Sequence, residues 1–163
     1  MTKEQFLQEA TRVAIAASRM SGLPAGITVA QAILESNWGQ SQLARDAHNY
    51  FGIKAHRAHQ RVAYPTFEVV NGRAIRVTAE FARYASIEEC FADRDAIILR
   101  VGCYAEARAV KDDPEQFSRA LAKHWATDPK YAEKLLCLYR AQRLNEIEKK
   151  ISAENAEGQS PQG

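Results

Sequence analysis

At 163 residues the chain is long enough for one sizeable core and too short for two ordinary domains. Its 46% hydrophobic and 26% charged content match a soluble globular protein, and a formal net charge of +2 is too weak to point to nucleic acid, which calls for a concentrated basic stripe. No stretch reaches the apolar length of a membrane span.

Thr2-Lys3-Glu4-Gln5 has the capping-box form, and Phe6, Ala10, Val13, Ala14, Ala17 and Met20 follow at helical spacing until Gly22 and Pro24 close the helix. The same start lacks an apolar h-region and a small-residue cleavage site, so synthesis in the cytoplasm without a signal peptide is expected. A second helix is predicted from Pro24 or Thr28 to Trp38, with Ala30, Ile33, Leu34 and Trp38 as its apolar stripe. Glu35 lies at the edge of that stripe, placed to project from the packed face into a cleft. A carboxyl group with apolar neighbours and little water has its charged form disfavoured, so it can stay protonated near neutral pH. That is the proton donor glycosidic-bond cleavage needs.

Gly39 ends this helix, and Ser41 to Ala47 reads as one short further helix. The pattern then changes. Arg61 to Tyr84 alternates in strand fashion around Asn71-Gly72, the strongest short hairpin signal. A two-residue turn there sets Val70 opposite Arg73 and Glu68 opposite Ile75, with Glu68 on the face of Tyr64, Thr66, Val70 and Val77. A slip of one residue would turn Glu68 to the other side.

Ser86-Ile87-Glu88-Glu89 opens a helix to about Arg100, and Asp113-Pro114 opens another that ends near His124. Asp128-Pro129 repeats the device and starts the last long helix, through Leu135, Leu136, Leu138 and Tyr139. Beyond Ile151, residues Ser152 to Gly163 carry no large apolar side chain and are expected to be disordered. The fold class is mainly α (α+β): a domain over 1–151, a helical lobe with an inserted β-hairpin lobe, and a tail over 152–163.

Cys90, Cys103 and Cys137 are odd in number and lack CxxC or His pairing, so they read as small buried hydrophobes, with a Cys90–Cys103 bridge left open. His48, His56, His59 and His124 show no metal-ligand spacing, and no Gly-rich phosphate loop or serine nucleophile elbow is present. No metal or cofactor is expected.

Three motifs carry a resemblance: Ala30-Gln31-Ala32-Ile33-Leu34-Glu35-Ser36-Asn37-Trp38-Gly39, then Asn49-Tyr50-Phe51-Gly52-Ile53-Lys54, then Ala126-Thr127-Asp128-Pro129-Lys130-Tyr131-Ala132 with Lys134-Leu135. In that order, over about Phe6 to Leu138, they resemble the glucosaminidase domain family, glycoside hydrolase family 73, which includes the flagellar rod-cap muralytic domain and many autolysins. The resemblance implies a lysozyme-like fold and an endo-β-N-acetylglucosaminidase cleaving the β-1,4 bond after N-acetylglucosamine in peptidoglycan.

It also assigns roles. Glu35 matches the general acid, against an ordinary solvated helix glutamate. Glu68 falls where a second acidic residue commonly lies, with Glu80 on the opposite arm as its substitute. Carboxyl groups about 6.5–9.5 Å apart would activate water with inversion, and about 5–5.5 Å would suit a covalent nucleophile. Substrate-assisted attack by the N-acetyl oxygen is the third route. Tyr131 matches the motif tyrosine, set to bond the N-acetyl group or the developing charge, whereas Asp128 reads as a helix cap. Asn49, Phe51 and Gly52 look like a turn shaping the cleft floor, and Tyr50, Trp38 and Trp125 offer rings for sugar stacking. Trp125 stands where many relatives carry tyrosine, and Tyr50 where they often carry leucine.

The expected partner is the peptidoglycan glycan strand, met by a monomer at the cell wall or periplasm. The route there is endolysin-like release through a hole-forming protein, prior removal of a leader, or a dedicated secretion machine. The rival readings are a muramidase or lytic transglycosylase, which also place Glu-Ser at a helix end, and a non-catalytic peptidoglycan-binding module.

Overall fold

The computed structural model describes residues 1–158. Helix α1 (Lys3–Ser21) begins as the capping box requires: the Thr2 side chain accepts from the Gln5 N–H and the Gln5 side chain reciprocates. It ends at Gly22, whose φ of +76° is the left-handed conformation a C-terminal glycine adopts without a Cβ penalty. Phe6, Ala10, Val13 and Ala14 form its buried stripe, packed against α2 (Ala25–Ser36) and α4 (Ile87–Arg100).

Helix α2 is buried from Ala25 through Ile33. A helix that is apolar all round belongs inside the fold. It contributes to two core clusters. The first gathers around Phe6, Phe51, Phe91 and Leu135, and the second around Leu23, Ile27, Ile98, Phe117 and Leu121. Between α2 and α4 come the short α3 (Gln42–Ala47), capped by the Ser41 side chain, and the hairpin β1 (Gln60–Val70) and β2 (Arg73–Arg83).

The hairpin has the register anticipated from Asn71-Gly72, with Val70 opposite Arg73 and Glu68 opposite Ile75. Asn71 and Gly72 both have positive φ, 51° and 76°, as a two-residue turn of matching twist demands. Val62, Tyr64 and Thr66 on β1, with Val77, Ala79 and Phe81 on β2, make the half-buried face. Glu68 stands on that face nearer the exposed tip, and Glu80 on the opposite face.

Helices α5 (Ala105–Ala109), α6 (Pro114–Trp125), α7 (Tyr131–Ala141) and α8 (Asn145–Gly158) complete the chain, with a 3-10 turn at Gly102–Tyr104. Asp113 caps α6 by accepting from Gln116 N–H, with Pro114 at the first position.

Several expectations need correction. Helix α2 stops at Ser36, not Trp38, because Asn37, Trp38 and Gly39 all take positive φ. Asp128-Pro129 does not open a helix: the Asp128 carboxylate accepts from Lys130 N–H at 2.9 Å, and α7 starts at Tyr131. Nor is α7 the last helix, since α8 runs past Ile151 to Gly158. It is held by buried Ile147 and an ion pair from Arg19 to Glu154 at 2.8 Å. The rest of the expected tail lies outside the described residues. All three cysteines are free thiols, and only Cys90 is buried, so Cys103 and Cys137 are not the core residues expected.

Candidate active site

Glu35 sits on the last turn of α2, half-buried, just before the chain reverses. The reversal is tied by Ser36. Its hydroxyl donates to Ala32 O at 2.5 Å and accepts from Gly39 N–H at 2.8 Å. Trp38 N–H returns to Ile33 O at 3.1 Å. Gly39 has no room for a side chain, because a Cβ there would lie 2.6 Å from the Phe6 ring at a φ of +73°. The Glu-Ser-Asn-Trp-Gly run is therefore a helix stop that leaves Glu35 at the edge of the packed layer.

Tyr131, at the first position of α7, donates its hydroxyl to Glu35 Oε1 at 2.7 Å. Tyr131 Oη in turn accepts from Gln31 Nε2 at 3.1 Å, one turn back on α2. Gln31 Oε1 accepts from Arg94 Nε at 2.9 Å. Arg94 also donates to Thr28 Oγ1 at 2.9 Å and to Asp95 Oδ1 at 2.7 Å, and its guanidinium stands 5.7 Å from the Phe51 ring centre. Gln31 and Arg94 are both 0% exposed and Tyr131 4%, so this chain of polar groups runs from α4 through the core to the carboxyl group.

Burial pushes the Glu35 carboxyl above its ordinary range, and the Tyr131 hydrogen bond pulls part of the way back. Burial, then the neighbouring Glu35, pushes the Tyr131 phenol up, so it remains a donor at any working pH.

The 49–54 loop faces the other carboxylate oxygen. A Cβ on Gly52 would lie 3.7 Å from Glu35 Oε2, and Gly52 itself has φ +66°. Asn49 holds this loop: its amide donates to Ile53 O and Ala82 O, both at 2.9 Å, and its Oδ1 accepts from Phe51 and Ile53 N–H. Asn49 is 1% exposed, so it shapes the site rather than touching a ligand.

The remaining expected residues divide. Glu68 is exposed on the hairpin and meets Lys54 Nζ at 3.5 Å; Glu80 is committed to Arg61 at 2.8 Å. Phe51 is buried against Phe91 at 4.9 Å between ring centres. Tyr50 is 8% exposed, between Phe6 and Phe91, so it is a core ring and not the stacking surface expected. Trp38 is half-buried with Lys3 Nζ 5.3 Å from its ring centre. Trp125, half-buried at the end of α6, leans on Tyr104 at 6.0 Å. Glu35, Tyr131 and Gly52 are thus the expected residues brought together.

The sequence matches the family model described as mannosyl-glycoprotein endo-beta-N-acetylglucosaminidase over residues 11–144. The chain belongs to the glucosaminidase family. It is 36% identical over 156 residues to the peptidoglycan hydrolase FlgJ of Salmonella typhimurium, an alignment covering 91% of this chain and 48% of that protein. The chain spans about half the length of the curated relatives it matches. Among solved structures, the glycoside hydrolase domain of Salmonella typhimurium FlgJ superposes with TM-score 0.71 at 35% identity, covering 87% of this chain and 98% of that one. The catalytic domain of the autolysin Auto from Listeria monocytogenes does so with TM-score 0.80 at 25% identity, covering 89% and 86%. The architecture is lysozyme-like, as the glucosaminidase resemblance implied.

Sequence reasoning passed over Gln31, Arg94 and Asp95 as site residues. The signal was present: Ile87, Cys90, Phe91 and Ile98 form the buried stripe of α4, and Arg94 and Asp95 sit on it. A charged pair on an apolar stripe needs partners within the protein, and Arg94 takes Gln31, Thr28 and Asp95 as its own.

Proposed function

We propose that the protein is a peptidoglycan hydrolase, an endo-β-N-acetylglucosaminidase, with Glu35 as the general acid. The Tyr131–Glu35 hydrogen bond at 2.7 Å, made to a carboxyl group desolvated by burial, is the observation that carries this reading. A carboxyl group whose burial favours the protonated form can deliver its proton to the glycosidic oxygen as the bond breaks. Gly52, bare of side chain beside Oε2, lets a sugar approach that oxygen closely. Tyr131 holds the Glu35 carboxyl in place and stabilises the anion left after proton transfer. Glu68, on the inward face of the hairpin, takes the second acidic role by orienting water or supporting the charged sugar.

The family's description as an endo-beta-N-acetylglucosaminidase supports the bond that is cleaved, and the naming of FlgJ as a peptidoglycan hydrolase supports peptidoglycan as the substrate. Its glycan strands place the action at the cell wall or periplasm. Phage-type release remains part of the same proposal.

The test is mass spectrometry of borohydride-reduced fragments after digestion of purified peptidoglycan by wild type and by Glu35→Gln. Wild type is expected to yield reduced N-acetylglucosamine ends, and the variant to lose about 10²- to 10⁴-fold in rate while staying folded. Reduced muramic acid or its anhydro form would move the protein to the muramidase or transglycosylase class. Undiminished activity in the variant would remove Glu35 from its role.

A further inference from the structure

We infer that Gln31 and Arg94 are positioning residues that fix the direction of the Tyr131–Glu35 hydrogen bond and so place the catalytic proton on Oε2 of Glu35. The inference rests on Glu35 being the general acid. Its logic is one of donors and acceptors. A guanidinium has donors only and stays charged. Arg94 Nε lies 2.9 Å from the Gln31 side-chain amide, so the group Gln31 turns toward it must be its oxygen. The Gln31 NH₂ is thereby turned toward Tyr131 Oη at 3.1 Å. With its lone pair taken by Gln31, the tyrosine directs its own proton to Glu35 Oε1 at 2.7 Å. A proton on that same carboxylate oxygen would face the tyrosine's. The acidic proton is therefore carried on Oε2, the oxygen facing Gly52.

Arg94 itself is anchored for this task. Asp95 Oδ1 and Thr28 Oγ1 hold one of its terminal nitrogens, and Asp95 Oδ2 is held by Ser21 Oγ at 2.7 Å. Among the described residues Nη2 finds no hydrogen-bond partner, while the guanidinium charge itself is paired with Asp95 at 2.7 Å. Around Glu35, α7 presents Tyr131, α4 presents Arg94 and Asp95 behind it, and the loop presents the backbone of Gly52. Glu68, on the hairpin, is paired with Lys54.

Gln31→Glu is the discriminating variant, since it keeps the shape and gives Arg94 a better acceptor. The new carboxylate also accepts from Tyr131, turning the phenol's proton away from Glu35. The anion of Glu35 loses its donor and gains a negative neighbour, both of which raise its pKa. A general acid works while protonated, so the high-pH limb of kcat/KM should move upward, by about one unit for a lost charge-assisted hydrogen bond. Tyr131→Phe should move it the same way, and the double variant no further than the larger single one.

An unmoved limb in folded Gln31→Glu, or additive shifts in the double variant, overturns the inference. Neutron diffraction of the deuterated wild-type protein tests it independently of any variant's folding. The Tyr131 deuteron is expected on the line to Glu35 Oε1, and a deuteron pointing to Gln31 overturns the assignment. If Glu35→Gln stays active, the general-acid reading fails on its own arm. If Glu35→Gln is silent and the Gln31→Glu limb is unmoved, only the positioning role fails.

Discussion

The helical side of the site and its hairpin side are built differently. On the helical side, Glu35 is met by a tyrosine whose partners are buried in series back to α4, and rings such as Phe51, 1% exposed, close the layer. On the hairpin side, Phe67 and Val69 are 71% and 77% exposed, and the acidic residue of interest holds only Lys54 at 3.5 Å. A proton donor needs a fixed, desolvated setting, because its pKa depends on both. A strand that meets a polymer needs reach and an open surface. The contrast fits the proposed function, with preorganisation on α2, α4 and α7 and substrate contact on the hairpin.

The largest expected effect lies on the helical side. Phe51→Ala removes a ring that packs on Phe91 and lies beside the Arg94 guanidinium. Such a truncation costs about 3–5 kcal/mol, a large share of the 5–15 kcal/mol typical of a domain. Denaturant melts should show the midpoint fall. A loss below about 1 kcal/mol would mean that the helical side tolerates loosening and that the contrast is wrong.

Glu148→Ala comes next. Glu148, on α8, caps the start of α2 by accepting from Gly26 N–H, and also accepts from Tyr139 Oη at 2.7 Å. Pro24 offers no side-chain cap of its own. Losing the cap should cost about 1–2 kcal/mol. Glu148→Gln keeps an acceptor and sharpens the point. Burial raises the Glu148 pKa, so the folded state holds its proton more tightly than the unfolded chain. That contribution is full below the unfolded value, 4.5, and is lost as pH rises through the folded one. Wild type should therefore lose stability relative to Glu148→Gln across that window. A difference independent of pH would remove the buried-carboxyl account.

What could be read from the sequence follows the same division. The capping box at Thr2, the Asp113-Pro114 start and the Asn71-Gly72 turn are local devices, and each produced the element expected, down to the pairing of Glu68 with Ile75. The proximity of Glu35, Tyr131 and Gly52 was legible only through motif order, since spacing alone does not join α2 to α7. The apolar period alone carries the helix on to Trp38. The left-handed run from Asn37 to Gly39 overrides that period, and Gly39 needs it because of the Phe6 ring. Helix α8 has no local signature because its tail is polar: its anchors are Ile147, Glu148 and the Arg19–Glu154 pair, which are tertiary and invisible to a local window.

The smallest expected effect on stability separates the two sides most cleanly. Glu68 is exposed and pairs with Lys54 across 3.5 Å, a surface contact that side-chain entropy and solvent screening reduce to little. Glu68→Gln should change the unfolding free energy by less than about 0.5 kcal/mol. If Glu68 serves the reaction, turnover on peptidoglycan must nevertheless fall, with the high-pH limb set by Glu35 left in place. A variant that is unchanged in both turnover and stability would return Glu68 to an ordinary strand charge. One that melts early would show that the hairpin is as tightly coupled to the core as the helices are. Lost turnover with intact folding is the outcome that fits a buried acid on one wall and an exposed carboxylate on the other.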